Sequence, residues 1–312
     1  MVRRMNTLVR DFSAQLPHLR VGGLSAGDVH NPTVILLHGF PELSESWRDV
    51  LPILAAAGLH AVAPDLRGYG KTDKPSGGYD LDTLAGDVAA LIEHVSPDEP
   101  VHLVGHDWGG AVAYHVAAFH PSKVRTLAVV NCPHPGVMAR RMWRPAQLRR
   151  SWYMFFFQLP FLPERVLASD DGRRVPKLMR RTMVDSSRLT PERSEPYARN
   201  FSDLHAAQCA LAYYRQMFRG VLTPRGAKTL FSGYPRIEAP FRLVWGTEDV
   251  ALGKALTVGL DPYFALPPEV DYLDGVGHFA PIEAPERVAE SLLAHLVTHR
   301  GESGRSPGVT LH

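Results

Sequence analysis

Short apolar runs recur along the chain and alternate with stretches of helical periodicity. Continuous apolar runs are typical of strands that are covered on both faces, and their alternation with helices favours a mostly parallel sheet. Six runs predict strands, at 34–37, 59–63, 101–104, 127–130, 241–245 and the less apolar 270–273. Apolar residues at helical spacing within 81–95 and 288–297 predict amphipathic helices. The pattern therefore predicts an α/β fold with a mostly parallel sheet flanked by helices.

One long segment breaks this alternation. Between about 134 and 235 no convincing buried strand occurs, and arginines, aromatic residues and helical patterns dominate. The segment follows a strand's carboxyl end, where ligands bind in open α/β sheets, so it is placed to act as a lid. We therefore predict an α/β core at 1–133, a helical cap at 134–235, the rest of the core at 236–300, and a disordered tail at 301–312.

The third apolar run leads into a motif that carries chemistry. The strand 101–104 continues into GHDWGG at 105–110, and a helical pattern follows at 111–119. This strand–turn–helix context is that of the nucleophile elbow of α/β-hydrolases, in which small residues flank a central side chain that projects above the sheet. The central residue here is Asp107, and we predict that it is the nucleophile. The alternative is an ordinary turn in which Asp107 caps the helix.

A carboxylate nucleophile implies a particular reaction. Asp107 is ionised at neutral pH without a base and is suited to displacement at a saturated carbon. The resulting ester has its carbonyl on the enzyme. Water must then attack that carbonyl, and this second step needs a base and an oxyanion hole.

Two later residues fit the roles of base and orienting acid. His278 lies in a glycine-bounded turn after the last predicted strand, and Asp249 follows the strand 241–245, so both lie at carboxyl ends of strands, as Asp107 does. Asp249 would fix the tautomer of His278 and stabilise its charged form. Glu248 is the alternative acid. Asn131, at the end of another strand, cannot carry charge, which favours Asp249.

The first predicted strand ends in HGFP at 38–41. The backbone N–H groups of Phe40 and Trp108 would face the charge that develops on the ester oxygen. The motif DLRGYG at 65–70 is interpreted as a structural turn.

Taken together, HGFP, GHDWGG, Asp249 and the Gly-His pair at 277–278 resemble the α/β-hydrolase epoxide hydrolases over roughly residues 19–296. The resemblance implies the α/β-hydrolase fold with an inserted helical cap, conversion of an epoxide and water to a vicinal diol through an aspartyl ester, and two cap tyrosines that protonate the epoxide oxygen. The matching positions are Tyr153 and Tyr214.

Helical spacing supports Tyr214 separately. Phe201, Leu204, Leu211, Tyr214 and Phe218 fall on one predicted helical stripe, so Tyr214 would point toward the apolar interior while Tyr213 is turned away. A structural role for either hydroxyl is the alternative. Tyr213 occupies a position where the family often has Trp, and this makes the choice between Tyr213 and Tyr214 as the catalytic tyrosine less clear-cut.

Aromatic residues near Tyr153 suggest an apolar pocket wall. We predict that Trp108, Trp152 and Phe156 contact the substrate and that the substrate is a hydrophobic epoxide, although such a run is core by default. The basic stretch with Arg140, Arg141, Arg149 and Arg150 is interpreted as a solvated helix face rather than an anion site.

Two other functions remain open at this point. A haloalkane dehalogenase shares the fold, elbow, acid and base, but it needs two N–H donors for the halide. Trp108 could be one, position 40 lacks the common asparagine, and Trp143 or Trp152 could substitute. The other is a non-catalytic binding protein on the same fold.

Composition narrows the remaining classes of function and cellular location. The 312 residues carry a formal net charge of +2, which gives no sign of nucleic-acid binding. Two cysteines, no signal-peptide pattern and no apolar run of spanning length predict a cytoplasmic protein without a membrane span. Metal-ligand and dinucleotide spacings are missing, so we expect no cofactor or metal. A homodimer is compatible with the sequence.

Overall fold

An eight-stranded sheet forms the centre of the computed structural model, which describes residues 7–221, 223 and 234–298. In spatial order the strands are β1, β2, β4, β3, β5, β6, β7 and β8; the first three pair antiparallel and all later pairs are parallel. Their bounds are β1 Arg10–Gln15, β2 Arg20–Ala26, β3 Thr33–Leu37, β4 His60–Pro64, β5 Val101–His106, β6 Val124–Val130, β7 Phe241–Gly246 and β8 Glu269–Leu273. The predicted mostly parallel sheet is confirmed.

The first two strands were missed by the sequence analysis. β1 is mostly exposed and polar, and β2 contains two adjacent glycines and a serine, so neither gives a continuous apolar run. β1 is the edge strand, where backbone pairing rather than apolar burial on two faces defines the strand. β2 pairs on both sides and is buried from Val21 to Ala26, so its glycines and serine hide the strand from an apolar pattern.

Helices cover both faces of the sheet. Their bounds are α1 Val50–Ala56, α2 Leu81–Val95, α3 Trp108–Phe119, α4 Pro135–Arg141, α5 Pro145–Arg150, α6 Trp152–Phe156, α7 Leu162–Ala168, α8 Arg174–Thr182, α9 Pro191–Ser202, α10 Leu204–Val221, α11 Ala280–Glu283 and α12 Pro285–Thr298. Alternate residues of β3 point to opposite faces. Val34 and Leu36 pack in a core with α1 and α12, whereas Ile35 and Leu37 pack in a second core with α2 and α3.

Helices α4 to α10 all lie between β6 and β7, and the described residues of that interval contain no strand. We call 135–221 the helical segment. It contacts loops at the carboxyl edge of the sheet: the Tyr213 hydroxyl donates to the Arg67 carbonyl at 2.7 Å, and the Asn200 side chain accepts from the Gly70 N–H at 2.9 Å. The segment therefore lies over the edge where Asp107 is found.

The predicted tail at 301–312 lies outside the described residues. Among the helices that are described, none combines the length and the apolar character needed to cross a lipid bilayer.

Candidate active site

The backbone at Asp107 makes a tight turn between β5 and α3. Its φ is 48° and its ψ is −119°, a conformation that is costly for a residue with a side chain. The turn needs glycine on both sides, because a Cβ at Gly105 would lie 2.3 Å from the Gly109 carbonyl oxygen and one at Gly109 would lie 2.4 Å from the Leu37 carbonyl oxygen. The Asp107 side chain makes no capping hydrogen bond to α3, which argues against the interpretation of Asp107 as a helix cap.

The Asp107 carboxylate instead faces the turn after β3. Its Oδ1 accepts a hydrogen bond from the Phe40 N–H at 2.9 Å. The approach is so close that a Cβ at Gly39 would lie 2.4 Å from the Asp107 Cβ. The Phe40 N–H thus faces the carboxylate, and its role in an oxyanion hole remains a prediction. No hydrogen bond joins the Trp108 N–H to Asp107 within the described residues, so its part in an oxyanion hole stays a prediction.

His278 lies on the other side of the carboxylate. Its Nε2 is 3.7 Å from the Asp107 Oδ2, and its Nδ1 is 2.7 Å from the Asp249 Oδ2. The 3.7 Å separation is too long for a hydrogen bond. Oδ1 is therefore held by a backbone donor, whereas Oδ2 faces the imidazole without being bonded to it.

The side chain of Asp249 is fully engaged. Its Oδ1 accepts from the N–H groups of Ala251 and Leu252, both at 2.8 Å, and its Oδ2 accepts from the Asn131 side-chain amide at 2.8 Å. Glu248 is exposed, and among the residues that the structure describes its side chain has no hydrogen-bond partner, while its N–H donates to the Val276 carbonyl. The geometry therefore favours Asp249 over Glu248 as the partner of the imidazole.

Asn131 has a supporting role that its sequence position does not reveal. This residue sits at the end of β6 with φ 44°, and its side-chain oxygen accepts from the Gly246 N–H at 3.0 Å while its amide donates to Asp249. Asn131 thereby ties the end of β7 to the carboxylate that orients His278. Asparagine tolerates positive φ better than most residues, which was the available signal.

Electrostatics make His278 a strong base. Burial alone would lower the pKa of His278, but the charge and hydrogen bond of Asp249 outweigh burial, and with the charge of Asp107 they raise this pKa to about 9. Burial would likewise raise the pKa of Asp249, but the charge of His278 and the hydrogen bonds from His278, Leu252 and Asn131 lower it. An imidazolium–carboxylate pair therefore sits beside Asp107.

A second buried acid–imidazole pair supports the site and was also missed. Glu42 accepts from the Gly39 N–H at 2.9 Å and lies 2.5 Å from His106 Nδ1, while His106 Nε2 donates to the His278 carbonyl at 2.8 Å. Burial would raise the pKa of Glu42, but the charge and hydrogen bond of His106 lower it to about 2. The pair links the turn that carries Phe40 to the turn that carries His278.

Tyr153 and Tyr214 come together opposite these groups. Their ring centroids are 6.0 Å apart, and the Tyr214 ring packs edge-on against Phe40, Trp108 and Phe157. Burial raises the pKa of both hydroxyls, and the nearby charge of Asp107 raises it further. Both tyrosines are therefore protonated at neutral pH and able to donate.

The neighbouring Tyr213 has a different environment. Its hydroxyl is committed to the Arg67 carbonyl, and its ring packs against Tyr69, Tyr79 and Trp108. The geometry thus separates the two adjacent tyrosines in the way the helical stripe predicted. Two members of that stripe depart from the prediction, because α9 ends at Ser202 and a new helix begins at Leu204: Phe201 lies on α9, and Leu204 is exposed.

Of the three residues predicted to contact the substrate, Trp108 and Phe156 lie near Tyr214 or its neighbour Phe157, and Trp152 does not. Trp108 packs on Tyr214, and Phe156 is half-buried beside Phe157, which itself packs on Tyr214. Trp152 is 63% exposed, and Trp143, the other indole considered as a halide donor, is 65% exposed. The structure does not bring either indole to the group around Asp107.

Comparison with known proteins agrees with this architecture. A family model described as alpha/beta hydrolase fold matches residues 32–249. The AB hydrolase superfamily protein YfhM of Bacillus subtilis is 34% identical over 277 residues, which cover 87% of this chain and 92% of that protein. Epoxide hydrolase 4 of Mus musculus is 34% identical over 259 residues, which cover 80% of this chain and 69% of that protein.

A solved structure gives the same result. The Bacillus megaterium epoxide hydrolase in complex with an inhibitor superposes with a TM-score of 0.82 at 26% identity, over 92% of this chain and 100% of that chain. The fold, the family match and the relatives agree, and the chain belongs to the epoxide hydrolase family of the α/β-hydrolase superfamily.

Proposed function

We propose that this enzyme converts a hydrophobic epoxide and water to a vicinal diol through a covalent ester on Asp107. The observation that carries the proposal is the environment of that carboxylate. One oxygen is held by a backbone N–H, the other faces His278 without being bonded to it, and two protonated tyrosines lie nearby.

Ring opening uses the unbonded oxygen. Oδ2 of Asp107 attacks the less hindered epoxide carbon, the bond from that carbon to the epoxide oxygen breaks, and its electron pair stays on the oxygen. Tyr153 and Tyr214 donate hydrogen bonds to that oxygen, and the hydroxyl proton of one of them moves to it, which gives the free hydroxyl of the ester intermediate and a tyrosinate. The proton left on the Asp107 carboxyl after hydrolysis restores this tyrosine.

Hydrolysis takes place at the carboxyl carbon of Asp107. His278 takes a proton from water as the water oxygen bonds to this carbon, and the Phe40 N–H stabilises the charge that develops on Oδ1. The bond from the carbon to Oδ2 then breaks, and Oδ2 leaves in the diol with the proton that His278 returns. The neutral ester removes the negative charge of Asp107, one of the contributions that raise the pKa of His278. Ester formation therefore lowers the pKa of His278 and favours the neutral imidazole that the second step needs.

The helical segment is proposed to act as the cap that closes this site. It supplies Tyr153 from α6 and Tyr214 from α10, and the apolar rings of Phe40, Trp108 and Phe157 surround Tyr214. A pocket wall of this composition excludes water and suits an apolar substrate.

Replacement of the base tests the proposal. His278→Gln should form the ester but not hydrolyse it, so incubation with an aryl epoxide should add the mass of one epoxide molecule to the intact protein. Asp107→Ala is the control and should show no adduct. Circular dichroism checks that both variants fold.

Two outcomes would contradict the proposal. A folded His278→Gln variant that gains no mass would exclude an accumulating ester. A wild-type enzyme that releases bromide from a bromoalkane but forms no diol from the epoxide would favour the dehalogenase instead.

A further inference from the structure

The helical stretch that carries Tyr153 has an apolar outer side. Leu148, Trp152, Phe155 and Leu159 are all exposed, and their spacing of four, three and four residues puts them on one helical stripe. We call these four residues the outer stripe. Monomeric proteins rarely expose a contiguous apolar surface of this kind without a function for it.

The stretch 145–159 is treated as one unit, because its backbone keeps turning through α5, the junction at Ser151 and α6, although Ser151 itself is not helical. The Ser151 N–H donates to the Gln147 carbonyl at the end of α5, the Met154 N–H donates to the Ser151 carbonyl across the junction, and the Phe157 N–H donates to the Tyr153 carbonyl.

The inner side of the unit is buried at Gln147, Ser151 and Met154. The inner side packs on the protein, whereas the outer stripe stays exposed even though the Phe155 ring contacts the Phe218 ring and the Trp152 ring contacts the Phe156 ring.

Positive charge surrounds the outer stripe. Between Asp107 and Glu164 the sequence contains no acidic residue, whereas five arginines lie at 140, 141, 144, 149 and 150. Across residues 7–221 and 234–298, none of the five forms an ion pair with a carboxylate. Arg141 and Arg150 donate only to backbone carbonyls, and Arg140 lies over the Tyr263 ring.

We propose that the outer stripe and its arginines bind the surface of an anionic lipid bilayer. Tryptophan and leucine side chains with arginines at their rim match the acyl boundary and the charged headgroups of such a surface. The exposed Trp143 lies between Arg141 and Arg144 and extends the same surface. The interaction is peripheral and needs no spanning helix.

A second copy of this chain fits the surface less well. A two-fold interface would place the same patch against itself, so the uncompensated arginines of both copies would face one another. An anionic surface supplies the opposite charge. Since the outer stripe lies on the stretch whose inner side carries Tyr153, bilayer contact would occur on the side of the helical segment away from Asp107.

Vesicle sedimentation tests the proposal with the full chain. The protein should sediment with phosphatidylcholine vesicles that contain phosphatidylserine and remain in solution with phosphatidylcholine alone. Each arginine near such a surface contributes about fivefold to partitioning, so Arg144→Gln with Arg149→Gln should weaken binding by about 25-fold. In about 1 M salt the Debye length is about 3 Å, and the charge-dependent part should disappear.

Matched variants separate the surface from general effects. Trp143→Ser with Leu148→Ser should lower partitioning at least about fivefold, because less apolar area enters the bilayer. Val29→Ser and Arg199→Gln replace an equally exposed apolar residue and an exposed arginine elsewhere, and they should leave partitioning unchanged. All the substituted residues are exposed, so the midpoint of thermal unfolding of each variant should match that of the wild type.

Three results would overturn the proposal. The first is no sedimentation with anionic vesicles. The second is equal loss of binding in the control variants. The third is a dimer in analytical ultracentrifugation that Trp143→Ser with Leu148→Ser dissociates, which would assign the surface to a second copy.

Discussion

The adjacent tyrosines Tyr213 and Tyr214 in α10 have different roles because their side chains point in different directions. A step of one residue on a helix turns a side chain by about 100°. The Tyr213 hydroxyl therefore reaches the Arg67 carbonyl, while Tyr214 packs beside Trp108 and Phe40 near Asp107. The first contact ties the helical segment to the core, and the second places a donor at the proposed reaction.

Phenylalanine at each position should separate these roles. Tyr214→Phe should slow ester formation by about 100-fold, because one of two donors to the leaving oxygen is lost, and stability should change little. Tyr213→Phe should keep the rate but lower the free energy of unfolding by about 1 kcal/mol, because a buried hydrogen bond is lost. Single-turnover kinetics and denaturant unfolding measure the two effects, and the reverse pattern would exchange the roles.

The raised pKa of His278 makes a prediction about pH and stability. A folded-state pKa of about 9 lies above the unfolded value of 6.5, so the folded state binds the proton more tightly. The resulting stabilisation, roughly 3 kcal/mol, is fully present below pH 6.5 and is lost as the pH rises through about 9.

Denaturant unfolding at several pH values checks this sign. The free energy of unfolding should fall between pH 6.5 and about 9 in the wild type. The fall should be smaller in Asp107→Ala, which lacks one of the charges that raise the pKa, and absent in His278→Gln. A free energy of unfolding that rises over this pH range would contradict the conclusion that His278 is protonated in the folded state.

The candidate residues found from sequence are those that motifs mark locally. Asp107, His278 and Phe40 each lie in a glycine-containing turn after a strand, so spacing alone singles them out. The supporting contacts join distant positions: Asn131 and Asp249 are 118 residues apart, and Glu42 and His106 are 64 apart. Local patterns hold no information about such pairs, which only the folded sheet brings together.

At the scale of elements, the turns after β3 and β5 fit together with almost no spare space. Gly39 lies very near Asp107. A Cβ added at position 39 would lie 2.4 Å from the Asp107 Cβ and 2.7 Å from its Oδ1. The position of the predicted nucleophile thus depends on a glycine in a different element.

Gly39→Ala should displace Asp107 and lower the rate of ester formation by about 100-fold or more, since misplacement of about 1 Å can cost that much. Gly86→Ala is the control. Gly86 lies inside α2, where an added methyl group would meet no atom of a neighbouring element within 4 Å, so alanine should stabilise the protein by about 1 kcal/mol. A Gly39→Ala enzyme with the wild-type rate would show that the turns have more freedom than the distances indicate.

Prediction of the elements succeeded where burial is two-sided. The five strands β3 to β7 gave continuous apolar runs, whereas β1 and β2 did not. The strand β8, which lies at the opposite edge and is partly exposed, was predicted from a less apolar run. The predicted helix at 111–119 begins earlier, at Trp108, because the elbow leads directly into α3. The division into core and cap remains a prediction, since the location of helices between β6 and β7 does not establish an independent unit.

At the scale of the whole molecule, several contacts hold the helical segment over the sheet edge. Tyr197 is hydrogen-bonded to Ser46 at 3.0 Å, Glu283 accepts from the Val184 N–H at 2.8 Å, and Arg193 pairs with Asp49. The core partners lie in the segments that follow β3 and β8 along the chain. Together these contacts place Tyr153 and Tyr214 above a carboxylate that the core alone would leave open.

One measurement tests the central claim that Asp107 bonds to the substrate. In a single turnover with excess enzyme in heavy-oxygen water, the solvent oxygen should enter the peptide that contains Asp107, because water attacks the carbonyl of the ester. The first diol released should carry no label. Labelled diol together with an unlabelled Asp107 peptide would mean that Asp107 only activates water, and it would contradict the account.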